Sequence, residues 1–264
     1  MNTIMLKLKR LGMVAIVPMI TFSCSDDQEL SQNEILTQTE VRTILETDDV
    51  SGVADTVLSE LYMGNTASGK STKSNDCYTA EYSDTGYTVT FNNCVLNGTE
   101  DVNGTLTVTY NIENESASFT ATFVDFYVGT IKINDTRTYS VSGNSDENSI
   151  SFSVVSDMVF IMEDESTISE NGTKTFGVAV GDSLESITFS IDGNWTLIIG
   201  ADTYKINVTD TLEGNLGCAY LTTGSMTVDK NGLNVIVDFG DGTCDTVGTL
   251  TYPNGVEEEI SLKD

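Results

Sequence analysis

Tyr87-Thr88-Val89-Thr90-Phe91 places an aromatic or β-branched apolar side chain at every odd position and a threonine at every even one. A period of two in such residues is the pattern of a strand buried on one face. The pattern recurs downstream in Leu106-Thr107-Val108-Thr109-Tyr110, Phe119-Thr120-Ala121-Thr122-Phe123, Ile150-Ser151-Phe152-Ser153-Val154 and Ile187-Thr188-Phe189-Ser190-Ile191. Shorter runs at 131–133, 139–141, 195–199, 204–208, 226–228, 235–239, 250–252 and 260–262 complete the series. Thr85-Gly86, Asp192-Gly193, Asn231-Gly232 and Asn254-Gly255 supply turn chemistry between them. No helical period intervenes, so consecutive strands are expected to pair as antiparallel hairpins. The predicted fold is an all-β meander forming a sandwich or barrel-like sheet over residues 77–264. Membrane barrels alternate as well, but the threonine-rich outward faces favour a soluble β domain.

Ahead of this domain the period changes. Val50, Val53, Ala54, Val57, Leu58, Leu61 and Tyr62 fall on one helical face. Asp49 can cap its start and Gly64-Asn65 can end it, which predicts a short amphipathic helix over 49–64. Its polar face has almost no basic residues, which argues for packing on the next domain over lying on a membrane. Residues 65–76 read as a Ser/Thr/Lys/Gly linker. Residues 24–48 read as an acidic tether with scattered apolar positions (Ile35, Leu36, Val41, Ile44, Leu45) and some nascent helix.

The chain has five cysteines. Setting Cys24 aside leaves Cys77, Cys94, Cys218 and Cys244, for which three disulfide connectivities exist. Opposed residues in a hairpin have a constant sum of positions. A turn at Thr85-Gly86 sets 84 against 87, and 77 against 94 has the same sum. A turn centred on Asn231 sets 230 against 232, and 218 against 244 has that sum, although Thr223-Gly224 and Gly240-Asp241-Gly242 break the longer ladder. Cys77–Cys94 and Cys218–Cys244 are therefore the expected pairs. No CxxC spacing suggests a four-cysteine zinc site.

Cys24 follows Lys7, Lys9 and Arg10, an apolar run over 11–22 and Ser23. The run is too short to span a bilayer, which takes ~20 residues. With its basic flank it reads as a signal peptide over 1–23. Thr21-Phe22-Ser23-Cys24 resembles a lipobox, and Ser25-Asp26-Asp27-Gln28-Glu29 resembles the acidic tag that follows the acylated cysteine in outer-membrane lipoproteins of the Bacteroidota type. The β region carries a further likeness. Phe91-Asn92-Asn93-Cys94 leads to Gly104-Thr105-Leu106-Thr107, and Phe239 to Cys244 leads to Gly248-Thr249-Leu250-Thr251. With Asp125-Phe126-Tyr127-Val128 and the Asp-Phe-Gly-Asp-Gly-Thr-Cys-Asp run at 238–245, the chain is similar to a group of uncharacterised Bacteroidota lipoproteins with two cysteine-bearing hairpins. That resemblance implies lipidation at Cys24, an outer-membrane location with the chain on the cell surface, and a membrane partner through the lipid. It implies no activity.

Composition limits the chemistry further. The formal charge is -28. Residues 1–23 contain three cations and no acid, so -28 less 3 leaves -31 after their removal. Such a surface repels phosphate backbones, which excludes a nucleic-acid partner. The chain has no histidine, which removes imidazole-based triads and His-ligated zinc. Asp238, Asp241 and Asp245 flank glycines in one segment, oxygen donors of the kind calcium takes, yet Asp-Gly is also ordinary turn chemistry. Glu163-Asp164-Glu165 reads as a solvated turn. Trp195, the one tryptophan, reads as core rather than as a sugar platform. No carboxylate pair stands out for glycoside hydrolysis. Asp55-Thr56-Val57, Asp182-Ser183-Leu184, Asp210-Thr211-Leu212 and Asp245-Thr246-Val247 resemble an O-glycosylation acceptor pattern. The expectation is a non-catalytic envelope lipoprotein without a cofactor, serving as an interaction or structural module for an unnamed protein or glycan. The alternative is a lipoprotein that binds a glycan or a calcium-bridged ligand through its loops.

Overall fold

Ser118–Val128 shows how the alternation is realised. Phe119, Ala121 and Phe123 are buried, then the phase slips by one and Phe126 and Val128 are buried. The slip occurs at Asp125, which adopts φ 45°, so the strand carries a bulge and keeps its apolar side inward on both sides of it. The computed structural model describes residues 36–68, 73–74, 77–95, 101–111, 118–144, 149–179, 186–215, 217–218 and 220–262. Cys24, its flanking segments and Asp182-Ser183-Leu184 lie outside the described residues.

One helix, α1 (Gln38–Ser68), precedes fourteen strands. The first seven are β1 (Lys73–Ser74), β2 (Tyr78–Tyr82), β3 (Gly86–Cys94), β4 (Val102–Asn111), β5 (Ser118–Val128), β6 (Ile131–Asn144) and β7 (Ser149–Ile161). The rest are β8 (Thr167–Ala179), β9 (Thr188–Ile199), β10 (Asp202–Asn215), β11 (Leu221–Lys230), β12 (Leu233–Asp241), β13 (Val247–Thr251) and β14 (Glu257–Ser261). Every strand pairs antiparallel with its sequence neighbours in one sheet ordered β1 to β14. Among the described residues no ladder joins β1 to β14, so the barrel does not close. The all-β antiparallel meander is as expected.

One transverse row shows where the core lies. Tyr87, Val108, Ala121, Arg137, Ser156, Gly172, Trp195, Ile206, Val228 and Val235 are successive cross-strand partners from β3 to β12. All but Gly172 are buried. Helix α1 lies against this face. Val41, Ile44, Leu45, Thr47, Val50, Ser51, Ala54, Asp55, Val57 and Leu58 are buried, whereas Thr39, Arg42, Glu46 and Asp49 are exposed. At about 100° per residue the buried positions cover roughly two-thirds of the helix circumference. A flat sheet could cover only one side, so the sheet curls around α1 as an open trough.

The helix is longer than its apolar pattern predicts. It occupies 38–48 of the expected tether, and its backbone continues past Gly64-Asn65 through 68 of the expected linker, which also contains β1. The start is set by a capping box, not by Asp49. The Thr37 hydroxyl accepts the Glu40 N–H at 3.2 Å, and the Glu40 carboxylate accepts the Thr37 N–H at 2.8 Å. Leu36, Val41, Ile44 and Leu45, scattered in a tether reading, are all core.

Asp192-Gly193 is not a turn but lies inside β9. Gly193 has φ 124°, and a Cβ there would sit 2.3 Å from the Thr173 carbonyl oxygen. Glycine lets β8 approach at an irregularity whose residues look like a chain reversal. The runs 131–133 and 139–141 are likewise one strand, β6. Asn231-Gly232 is a two-residue turn with φ 55° and 90°, setting Lys230 opposite Leu233.

Both expected disulfides are present, with Cα–Cα distances of 5.1 Å for Cys77–Cys94 and 5.7 Å for Cys218–Cys244. The register that suggested the first differs by two. Tyr82 pairs with Tyr87 across a four-residue reversal, and the Cys77 carbonyl accepts the Asn92 N–H at 2.8 Å. Asn93, at φ 51°, interrupts the β3–β4 ladder just before Cys94, which pairs with Val102 and is fully buried. Cys218 and Cys244 lie beyond the β11–β12 ladder and tie together the segments that flank it. Replacing either pair by serine should cost about 3 kcal/mol through loop entropy in the unfolded chain. A chemical-denaturation series on the two variants checks this; unchanged midpoints would remove the bridges from the account of stability.

Candidate functional site

The inward row is apolar except at its centre. Arg137 on β6, Ser156 on β7 and Glu170 and Lys174 on β8 all face α1 and all are buried. Inward phase on their strands puts them there: Arg137 follows Ile131 and Ile133, and Glu170 and Lys174 share the face of Ile168 and Phe176. The helix meets them with Asp48, Ser51 and Asp55, spaced three and four apart on one face.

Arg137 organises the cluster. Its Nη1 donates to Asp55 Oδ1 at 2.8 Å and to the Ser51 carbonyl at 3.2 Å. Its Nη2 donates to Glu170 Oε1 at 2.7 Å and to the Ser51 hydroxyl, and its Nε donates to Ser156 Oγ at 3.2 Å. Ser156 in turn donates to Glu170 Oε1, and the Tyr139 hydroxyl donates to Asp55 Oδ1 at 2.7 Å. Lys174 Nζ donates to Asp48 Oδ1 at 2.5 Å and to Glu170 Oε2 at 2.8 Å, and stands 4.3 Å from the centre of the Trp195 ring. Two cations and three carboxylates are thus paired at the interface of helix and sheet. A second clamp sits nearer the helix start, where Glu40 accepts from Lys230 and from the Tyr204 hydroxyl at 2.7 Å.

Burial alone would push the Glu170 carboxyl up, but the Lys174 and Arg137 charges and the hydrogen bonds from Lys174 and Ser156 hold it at about 2. For Arg137, burial opposes the charge and Asp55 and Glu170 overcome it, so it stays protonated well above its ordinary range. Lys174 is likewise raised: burial is outweighed by Asp48 and Glu170. Burial and the Asp55 charge push the Tyr139 hydroxyl well up. Glu170, Arg137, Lys174 and Tyr139 are each fixed in one form at neutral pH, the opposite of a poised acid or base.

A cavity of about 20 Å³ adjoins the cluster, lined by Asp48, Ser51, Gly52, Asp55, Lys174, Phe176 and Ile191. That volume holds about one water. The arrangement therefore joins helix to sheet.

Asp238, Asp241 and Asp245, the calcium candidates, are exposed, and each serves its own turn. Asp238 accepts the Gly240 N–H at 2.8 Å, Asp241 accepts the Thr243 N–H at 3.1 Å and its hydroxyl at 2.8 Å, and Asp245 accepts the Val247 N–H at 3.0 Å. The Thr243 hydroxyl and amide hold the Asp241 carboxyl below its usual range. Among the described residues no three acidic, cysteine or histidine side chains converge as a metal site. Trp195 is 2% exposed and belongs to the core. Glu163, Asp164 and Glu165 form an exposed reversal between β7 and β8. Asp55, singled out only as part of a glycosylation pattern, is a buried ion-pair partner; Asp210, Thr211, Asp245 and Thr246 are exposed. The charged cluster itself was not anticipated. Its signal was present as three elements whose apolar phase is interrupted by charges of opposite sign.

Compared with known proteins, the chain matches no protein family, no curated protein and no solved structure.

Proposed function

We propose that this chain is a non-catalytic envelope lipoprotein, anchored through Cys24, that holds its curled sheet at the membrane as an interaction or structural module. The observation that carries the reading is the way α1 is mounted. The helix begins within the segment read as a tether, is tied to β6 and β8 by buried ion pairs, and is held near its start to β11 by the partly buried Glu40–Lys230 pair and to β10 by the hydrogen bond from the Tyr204 hydroxyl to Glu40. A load on the anchor would pass directly into the sheet, as a display mount requires. The buried charges are consumed in this mounting, and the adjoining cavity takes about one water, which supports a module without turnover. No helix among the described residues is long and apolar enough to cross a membrane, and a lipid supplies the anchor in this reading.

Protease accessibility on intact cells tests it, comparing wild type with a variant in which residues 25–29 are neutral. Digestion of wild type and protection of the variant is the expected result. Protection of both would turn the module towards the periplasm and end the surface reading. Cys24→Ala should move the protein from the membrane fraction to the soluble fraction; retention in the membrane would overturn lipid anchoring.

A further inference from the structure

Lys174 sits where an ammonium is costly to keep. Its side chain is 4% exposed on the inward face of β8, and its Nζ lies 2.5 Å from Asp48 Oδ1, 2.8 Å from Glu170 Oε2 and 4.3 Å from the centre of the Trp195 ring. Asp48 is 14% exposed and Glu170 is fully buried. Ions stripped of water in this way stabilise a fold little more than apolar residues of the same volume would. Lys230 supplies the contrast: its partners Glu40 and Asp202 are 24% and 44% exposed, so those carboxylates keep their water.

The dry pair has the parts of a condensation. Reacting atoms about 3–3.5 Å apart are in near-attack contact, and the Asp48 carbon that Nζ would attack is one bond from an oxygen 2.5 Å away. Glu170 divides its two oxygens: Oε1 accepts from Arg137 and Ser156, and Oε2 accepts from Lys174. A second carboxylate is thereby fixed on the amine, in position to carry its proton. Asp48 and Lys174 also line the cavity of about 20 Å³, which has room for about one released water.

We propose that Lys174 and Asp48 condense into an intramolecular isopeptide bond, with Glu170 relaying the proton. Nζ attacks Asp48 Cγ, the N–C bond forms and one Cγ–O bond breaks. Two of the ammonium protons leave with that oxygen as water, and the third stays on the amide nitrogen. Glu170 takes a proton from Nζ and returns it to the departing oxygen, ending as it began. One positive and one negative charge vanish together, and no oxidant, reductant or co-reactant is needed. The ion pair holds the amine charged, so the attack draws on the minor neutral pair; a single event per chain needs no poised group. Burial favours the product, because two dry ions become one neutral amide. The bond would tie α1 to β8 covalently. Its use as a load-bearing link rests on the display reading, but its chemistry does not, and purified protein tests it wherever the chain is anchored.

The experiment is a tryptic map, read by mass spectrometry, of the purified full chain after reduction and denaturation. Trypsin cuts after Arg42, Lys70, Arg137 and Lys205 but does not cut after an acylated Lys174. The expected result is a branched peptide joining 43–70 to 138–205, lighter than the two together by one water, in place of the free 138–174 peptide. Asp48→Ala and Lys174→Arg should abolish the branched peptide. Glu170→Gln keeps both reacting groups and should leave most chains unlinked. A wild-type map holding only unlinked peptides overturns the proposal, and that map decides even where a variant does not fold. A water lost elsewhere, at Lys230 or at Asp241-Gly242, with Lys174 still cut, overturns it as well. Linkage as complete in Glu170→Gln as in wild type overturns the relay.

Discussion

Arg137→Leu should destabilise the protein by about 3–5 kcal/mol, the range for removing one partner of a buried ion pair. The side chain is fully buried and makes hydrogen bonds to Asp55, Glu170, Ser51 and Ser156. Leucine restores part of its apolar bulk but leaves the Asp55 and Glu170 carboxylates in the interior, where Lys174 still pairs with Glu170 alone of the two. The cost is that of stranded charge, and it reaches both sides of the helix–sheet interface because Arg137 is the group that touches α1, β7 and β8 together. Denaturant unfolding measures it as a lower midpoint with little change in slope. A companion variant separates stranding from packing. With Asp55→Leu and Glu170→Met added, no carboxylate is left opposite the new leucine, and most of the loss should be recovered. A loss below about 1 kcal/mol for Arg137→Leu alone would sink the claim that this cluster fastens the helix.

The same cluster explains which parts of the fold were legible. Strands β3, β4 and β5 announce themselves because their inward positions are Tyr, Val, Phe, Leu or Ala and their outward ones mostly Thr. Strand β8 escaped notice. Its inward positions include Glu170, Gly172 and Lys174, so its apolar period shows only at Ile168, Phe176 and Val178. A pattern search that counts apolar residues cannot see a strand whose core face is ionic, since the compensating charges lie elsewhere in sequence: Lys174 is 126 positions from Asp48. The helix start was hidden for the related reason that Glu40, Thr47, Asp48 and Ser51 look like surface until the sheet surrounds them. The disulfide pairing was legible while the registers behind it were not. Both pairs are local, and a bridge depends on which strand ends come together, not on the residue-by-residue ladder. The outward threonines were visible from the start, but their alignment into rows depends on registers that only the paired sheet supplies.

Stability should pass through a maximum near about pH 5 and fall steeply below it. Glu170 is held at about 2 in the folded protein against 4.5 for an ordinary glutamate. Glu40 is also held at about 2: burial raises it, and hydrogen bonds from Lys230, Thr37 and Tyr204 outweigh that rise. A carboxylate whose folded pKa is depressed contributes stability that is complete above its unfolded value, about 4.5, and is lost as pH falls through the folded value. For Glu170 the difference amounts to about 3 kcal/mol between roughly pH 4.5 and 2. Above pH 5 the trend has the opposite sign. The chain carries 40 acids against 12 bases, and mutual repulsion between exposed carboxylates eases as the first of them protonate. The two limbs respond differently to salt. The alkaline limb arises at the surface and should flatten between about 0.1 and 1 M salt, where the screening length drops from roughly 10 to 3 Å. The acid limb arises at a buried site and should persist. Unfolding midpoints measured from pH 7 to 2 at both salt concentrations test this, with Glu170→Gln as the comparison. That variant should be weaker at pH 7 and should lose much of the acid limb. An acid limb that salt abolishes, or that Glu170→Gln leaves intact, would place the titrating groups on the surface and detach pH sensitivity from the helix mount.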